Sequence, residues 1–395
     1  MPPDSLEALP LRGVSVLDLT RLLPGAYATS LLAELGADVV KVEDPRGGDG
    51  LRLSPPYAST GESGLFVALC RGKRSIALDL KSPAGRSVLL ALVAQVEVLV
   101  DSFRPGVLDR LGLGAQDLAA ANSSLVHVSV TAYGAGSRAA LPGHDLNAEG
   151  YAGILGLSRG VDGSAAMPSV PIADMAAGLQ AALAVMSGLR VAQARPANGF
   201  RADVSLLDSA LSLTAIGQGS VLATAESPPT PDVLTGGLAC YGVYRCADGL
   251  ELACGALEPQ FFRRVVELCG EPELVASQYD IAGQDALRGR LVQLFASRPR
   301  AEWLSLLEAE QTCVTPVRTS AEALTDPDLL ARGVLEDVAL ADGSLVTAAR
   351  PIAWLPPRTN VAPTAPSLGE HTDDVVRALG LDPTPLRAAG AFGPT

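Results

Sequence analysis

Histidine is scarce in this 395-residue chain, which carries only three, so each can be weighed singly. Aromatic residues make up 4% of the sequence, which leaves little material for a ring-stacking surface such as a sterol would need. The six cysteines, at 70, 240, 246, 254, 269 and 313, form no CxxC pair and no metal-ligand spacing with the histidines. No metal is therefore expected, and the thiols read as reduced and mostly buried in a cytoplasmic protein. No apolar run is long enough to span a bilayer, and no basic start precedes a short apolar stretch, so neither membrane insertion nor secretion is expected. The formal charge of −13 excludes the general positive field that draws in a nucleic-acid partner. An anionic ligand would have to be held by a local basic patch.

What is present is apolar and alternates between strand and helix patterns. With 48% hydrophobic residues, the chain can build a large core and is long enough for two domains. Gly13-Val14-Ser15-Val16-Leu17-Asp18-Leu19 reads as a buried strand, Pro24-Gly25 opens a helix to Leu35, Gly36 ends it, and Asp38 to Val42 is the next strand. The turn between them, Thr20 to Ala26, lacks the spaced glycines of a dinucleotide site, and neither a Walker loop nor a Gly-x-Ser-x-Gly elbow occurs. Met175–Val191 and Leu206–Ala223 read as helices on either side of a strand at Phe200–Val204. Glu226 to Asp232 reads as a linker. Beyond it lie a hairpin around Ala247-Asp248-Gly249 and helices near 260–268, 286–296 and 301–308; from about Leu330 come short strands and a final helix.

Two kinds of candidate site stand out. Gly143-His144-Asp145-Leu146-Asn147, Ile172-Ala173-Asp174-Met175 and Gly255-Ala256-Leu257-Glu258 place an imidazole and two carboxylates in Gly- and Ala-rich surroundings that a small ligand could reach. His127, inside an alternating apolar strand, reads as a packed side chain, and His371 as part of a helix N-terminus. The second candidate is basic: Arg71, Lys73 and Arg74 fall within four residues, and Arg104 sits in Phe103-Arg104-Pro105-Gly106. Both basic stretches lie near strand ends, where such sheets bind ligands, and together they suit a molecule with several phosphates.

The order of Gly13–Leu19, Gly36-Ala37-Asp38-Val39-Val40-Lys41-Val42-Glu43, Arg71-Gly72-Lys73-Arg74-Ser75, Phe103-Arg104-Pro105-Gly106 and Gly369-Glu370-His371-Thr372 resembles the family III CoA-transferase superfamily along nearly the whole chain. Gly143-His144-Asp145-Leu146-Asn147, Ala173-Asp174 and Gly255-Ala256-Leu257-Glu258-Pro259-Gln260-Phe261 look like its alpha-methylacyl-CoA racemase branch. The resemblance implies an α/β fold with a large Rossmann-like domain built from both chain ends, a smaller central α+β domain, and an interlaced homodimer. Applied to this chain, the large domain would take 1–224 and 331–395, and the small one 225–330.

The resemblance also implies an acyl-CoA substrate whose C2 proton is exchanged through an enolate. His144 and Asp174 would act on opposite faces, Glu258 would orient His144, Asp145 would join the network, and backbone N–H groups such as that of Asp174 would meet the enolate. CoA would lie against Arg46, Arg71, Lys73, Arg74, Leu78, Asp79, Leu80, Lys81 and Arg104, with Gly143 and Asn147 at the thioester end. No cofactor beyond the CoA moiety is implied. The chain departs from the racemase pattern at Asp44, where an Arg is usual, at Ala148-Glu149, and at Met175-Ala176-Ala177-Gly178. The alternative is a family III CoA-transferase reaction, in which Asp174 would be the nucleophile and carry CoA as a thioester.

Overall fold

The computed structural model describes residues 9–160, 163–195, 198–228, 231–356 and 361–393. In chain order the first part holds β1 (Ser15–Leu19), α1 (Leu23–Glu34), β2 (Asp38–Glu43), α2 (Gly64–Cys70), β3 (Arg74–Ala77), α3 (Pro83–Val93), β4 (Val98–Asp101), α4 (Val107–Arg110), α5 (Ala115–Ala121) and β5 (Val126–Thr131). Then come α6 (Asp145–Ala152), α7 (Ile154–Leu157), α8 (Ile172–Ala194), β6 (Phe200–Ser205), α9 (Leu206–Ser212) and α10 (Ala215–Thr224). The expected helix over 206–223 is thus two helices. Pro229 and Thr230 of the expected linker lie outside the described residues.

The six strands β1 to β6 form one parallel sheet in the order β3-β2-β1-β4-β5-β6. This is the doubly wound, Rossmann-like arrangement the sequence implied. Its middle strands are enclosed on both faces, which is why they read as almost continuous apolar runs: in β4 and in β5 up to Val130 every residue is buried. The order reverses between β1 and β4, and the crevice outside the carboxyl ends of those strands is where such sheets take ligands. The turn Thr20–Leu22 and the loop Ser102–Gly106 leave the sheet at this place.

Helix α8 packs along α1, and Gly178 is the residue that permits it. A Cβ there would sit 2.7 Å from Tyr27 Cδ1 and 2.8 Å from the Pro24 carbonyl. By length and composition α8 could cross a membrane, and 44% of its apolar window is buried inside the fold.

The chain divides into two compact units. One comprises the chain up to Ile154, Met167–Thr214 and everything from Leu324 onward; the other comprises Leu155–Ala166 and Ala215–Ala323. The break falls ten residues before the expected boundary at 224/225 because α10 belongs with the segment after Ile154, Gly217 lying against Leu157. In the first unit the chain's end returns to the sheet. His371, just before the helix Thr372–Ala378, donates its N–H to the Ser75 carbonyl at 2.8 Å and accepts from the Ser75 N–H at Nδ1 at 3.2 Å. The second unit is α+β. Antiparallel β7 (Tyr241–Arg245), β8 (Glu251–Gly255) and β9 (Val314–Pro316) pack with α11 (Pro259–Leu268), α12 (Gln284–Phe295) and α13 (Arg300–Leu307) around Tyr244, Phe262, Phe295 and Trp303.

Beneath the β1–α1 turn lies a balanced set of buried charges. Lys73 Nζ is 3.2 Å from Asp18 Oδ2, and Lys41 Nζ is 2.7 Å from Asp49 Oδ2 and 3.7 Å from Asp18. The two lysines and Asp18 are wholly buried, and Asp49 nearly so. Burial alone would raise the Asp18 pKa, but Lys41 and Lys73 hold it at about 2. The cluster fixes the turn above it: Lys41 Nζ donates to the Thr20 carbonyl at 2.9 Å, and the Leu22 N–H donates to Asp49 Oδ1 at 3.0 Å. Leu22 can thereby hold φ 63°, a conformation that side-chain-bearing residues rarely adopt.

Candidate active site

Two helix N-termini build the site. His144 is the N-cap residue of α6, with an extended backbone, and its N–H donates to Asn147 Oδ1 at 3.1 Å, which fixes the first turn. Gly143 is required before it because a Cβ there would lie 2.3 Å from the hydroxyl oxygen of Tyr133. The His144 ring is exposed.

One residue on, Asp145 reaches the start of α8. The Asp174 N–H donates to Asp145 Oδ1 at 3.0 Å, and the Ile172 N–H donates to Glu149 Oε1 at 3.2 Å. Residues 145 and 149 stand one turn apart on the same face of α6, so both carboxyls satisfy the free backbone donors at the head of α8. Asp145, the neighbour of His144 in the chain, thus joins the heads of α6 and α8 in the first unit. Glu258 belongs to the second unit, where it is the exposed N-cap residue of α11.

The electrostatics of this edge differ from those of an ordinary helix cap. Asp174 is largely buried, and burial together with the Asp145 and Glu149 carboxyls raises its pKa to about 7. Glu149 is also raised, by burial and then by Asp145. Cations are missing from both sets of causes. A carboxyl that is half protonated near neutrality can donate or accept a proton at C2 of a bound thioester without a large energetic mismatch. The Asp174 N–H was expected to meet the enolate, but it is already engaged by Asp145 Oδ1.

The basic patch separates into buried and open cations. Lys73 is fully buried and also donates to Thr29 Oγ1 at 2.7 Å and to the Ala26 carbonyl at 3.1 Å, so it serves the interior. Arg71 is nearly buried and pairs with Glu336 at 2.9 Å. Arg74 pairs with Asp38 across β3 and β2. Sequence proximity thus concealed three separate structural partners, with Arg71 and Lys73 turned to the interior and Arg74 part-exposed. Arg46, Lys81 and Arg104 are exposed. Arg46 leans on Asp44 at 3.1 Å and Asp79 at 3.4 Å, and Asp79 Oδ1 also accepts the Lys81 N–H at 2.9 Å. Leu78 is buried, and Leu80 packs against the sheet's core.

Three features escaped the sequence reading. Arg21 is exposed on the β1–α1 turn, with its guanidinium 5.8 Å from the centre of the Phe103 ring, and it adds a cation to the crevice. Tyr133 and Tyr151 meet edge to face at 5.7 Å beside Gly143. His127 is packed as expected, yet it also organises the next loop: its Nε2 lies 2.7 Å from Asp101 Oδ2, while Asp101 Oδ1 accepts the Phe103 N–H at 2.9 Å. Among the described residues, no group of three or more His, Cys, Asp or Glu side chains is arranged to hold a metal.

Comparison with known proteins agrees with this architecture. An alpha-methylacyl-CoA racemase of Mus musculus is 33% identical over 381 residues, which cover 94% of this chain and 93% of that protein. A succinyl-CoA:glutarate CoA-transferase of Mus musculus is 30% identical, with 95% of this chain and 87% of that protein covered. The crystal structure of a CAIB/BAIF family protein from Brucella suis superposes with a TM-score of 0.83 at 30% identity, over 94% of this chain and 99% of that one. The model of CoA-transferase family III matches residues 11–372. With its doubly wound sheet and an acidic edge at the heads of α6 and α8, this chain belongs to CoA-transferase family III.

Proposed function

We propose that the protein is an isomerase of CoA thioesters that exchanges the C2 proton of a 2-methylacyl-CoA through an enolate. In one direction neutral His144 takes the proton from C2, the electron pair delocalises onto the thioester oxygen, and protonated Asp174 returns a proton to the opposite face. In the reverse direction the roles exchange, with Asp174 ionised and His144 protonated. Asp145 holds the head of α8 in place. The observation that carries this reading is the Asp145 carboxyl on the Asp174 N–H at 3.0 Å, which sets a largely buried carboxyl, raised to about 7, on the helix next to the one capped by the exposed His144. Such a group is poised to shuttle protons, whereas a nucleophile must be ionised to attack.

CoA is assigned to the open cations Arg46, Lys81 and Arg104 at the carboxyl ends of the strands. The reaction calls for no metal and no redox group. Homodimerisation belongs to the proposal and is supported by the outer face of α8, where Leu179, Leu183 and Met186 are exposed at one-turn intervals. A cytoplasmic setting agrees with cysteines that are all unpaired among the described residues.

The second reading, CoA transfer between carboxylic acids through an Asp174 thioester, is favoured by the transferases among the relatives. A single experiment separates the two: the protein is mixed with a 2-methylacyl-CoA in deuterated water, with and without an added carboxylic acid. Deuterium entry at C2 without the acid, lost in His144→Ala, is the expected result. CoA transfer to the acid without C2 exchange would replace the isomerase by the transferase.

A further inference from the structure

Glu149 is the least expected residue at the site, an acid wholly enclosed in an Ala- and Gly-rich helix. It is 1% exposed. One carboxyl oxygen accepts the Ile172 N–H, but the other, Oε2, is buried with no hydrogen-bond donor facing it. Its polar neighbour one turn back is Asp145, with which its side chain interacts. Two ionised carboxylates cannot hydrogen-bond to one another, and an enclosed carboxylate with a bare oxygen beside a second negative charge is among the most expensive arrangements in a protein. A single proton on Oε2 resolves all three difficulties: it neutralises Glu149, gives Oε2 a donor role, and supplies Asp145 with a hydrogen bond.

We infer that Glu149 is a positioning residue that keeps a proton at neutral pH and donates it to Asp145, which in turn fixes the Asp174 backbone. The chain of contacts runs from Glu149 Oε2–H to Asp145, and from Asp145 Oδ1 to the Asp174 N–H. Glu149 touches no reacting atom. It holds the heads of α6 and α8 in register, and with its proton in place the upward shift of Asp174 is left to burial and the Asp145 carboxylate, the two larger influences on it. The helices packed against α6 are α8 and α9; besides Asp174 they carry Arg190, more than four turns along α8 from it, and Asp208, whose carboxyl is turned toward Gly134. The inference rests on the proposed role of Asp174 for its kinetic consequences, but not for the proton itself.

The experiment therefore has two arms. Infrared difference spectroscopy with 13C-labelled glutamate at pH 7 reads the proton directly: a protonated-carboxyl band is expected in the wild type and in Asp174→Asn, and is lost in Glu149→Gln. Absence of that band from both proteins would overturn the inference whatever reaction the enzyme performs. In the kinetic arm, Glu149→Leu is expected to lower C2 exchange roughly tenfold or more, with little change in KM. Glu149→Gln, whose amide can donate to Asp145 and accept from Ile172, restores the rate to within about threefold. Equal loss in both variants, or no loss in Glu149→Leu, would also overturn it. If the wild type exchanges no C2 proton but transfers CoA, the isomerase reading fails, and the same pair of variants is scored on transfer.

Discussion

Two groups of buried charges lie in the same unit, and they are resolved in opposite ways. Under the β1–α1 turn, Asp18 and Asp49 face Lys41 and Lys73, two charges of each sign. Asp18 is consequently held at about 2, and the Lys41 pKa is raised by Asp18 and Asp49 against the downward pull of burial. At the heads of α6 and α8 the carboxyls of Glu149 and Asp174 are raised by burial and by neighbouring carboxyls with no cation to offset them, and Asp174 rises to about 7. Burial is the first cause in both places, so the counter-charge decides the outcome. A balanced cluster makes a rigid support, whereas an unbalanced one makes a group that gains and loses protons at working pH.

The largest effect that distinguishes the clusters is catalytic. Asp174→Asn should lower C2 exchange by ~10²–10⁴-fold without unfolding the protein, as measured by deuterium incorporation alongside circular dichroism. A comparable effect on stability is expected at the other cluster. Lys73→Met leaves Asp18 with Lys41 alone, 3.7 Å away, and should destabilise the fold by about 3–5 kcal/mol in urea denaturation, with CoA binding by the surviving folded fraction little changed.

Next in size is the pH dependence of stability. The folded-state pKa of Asp174 lies above its ordinary value of 3.8, so the native state binds more protons between about pH 4 and 7, and stability falls as pH rises through that window. Asp174→Asn removes this penalty and should stabilise the protein at pH 8 by up to about 4 kcal/mol, with little change at pH 4. Thermal melts at the two pH values check it. The smallest effect belongs to a cation outside both clusters. Arg104→Ala should raise KM for the CoA thioester roughly tenfold with kcat nearly constant, because a phosphate contact serves ground and transition states alike.

Much of the sheet could be read from the residues, because enclosed parallel strands must be apolar and their helices begin at Pro and end at Gly, as α1 does between Pro24 and Gly36. The segment 206–223 misled because its apolar pattern continues across the break at Leu213 and Thr214 that separates two helices. The basic run Arg71-Gly72-Lys73-Arg74 could not be sorted from sequence: Lys73 finds Asp18 55 positions away, and Arg71 finds Glu336 265 positions away. His144 and Asp174 are visible as acid/base candidates in small-residue surroundings, whereas the contact of Asp145 with the head of α8 depends on helix packing that spacing does not encode. Glu149 registered only as a departure from the racemase pattern. Its burial against the head of α8 gives it meaning.

The most direct test is a titration of the Asp174 carboxyl by 13C NMR, with Asp174→Asn identifying its resonance. The unbalanced acidic cluster predicts a midpoint near pH 7. A midpoint near the ordinary 3.8 would mean that the carboxyl is fully ionised at neutrality and that the proton-carrying role assigned to it is wrong.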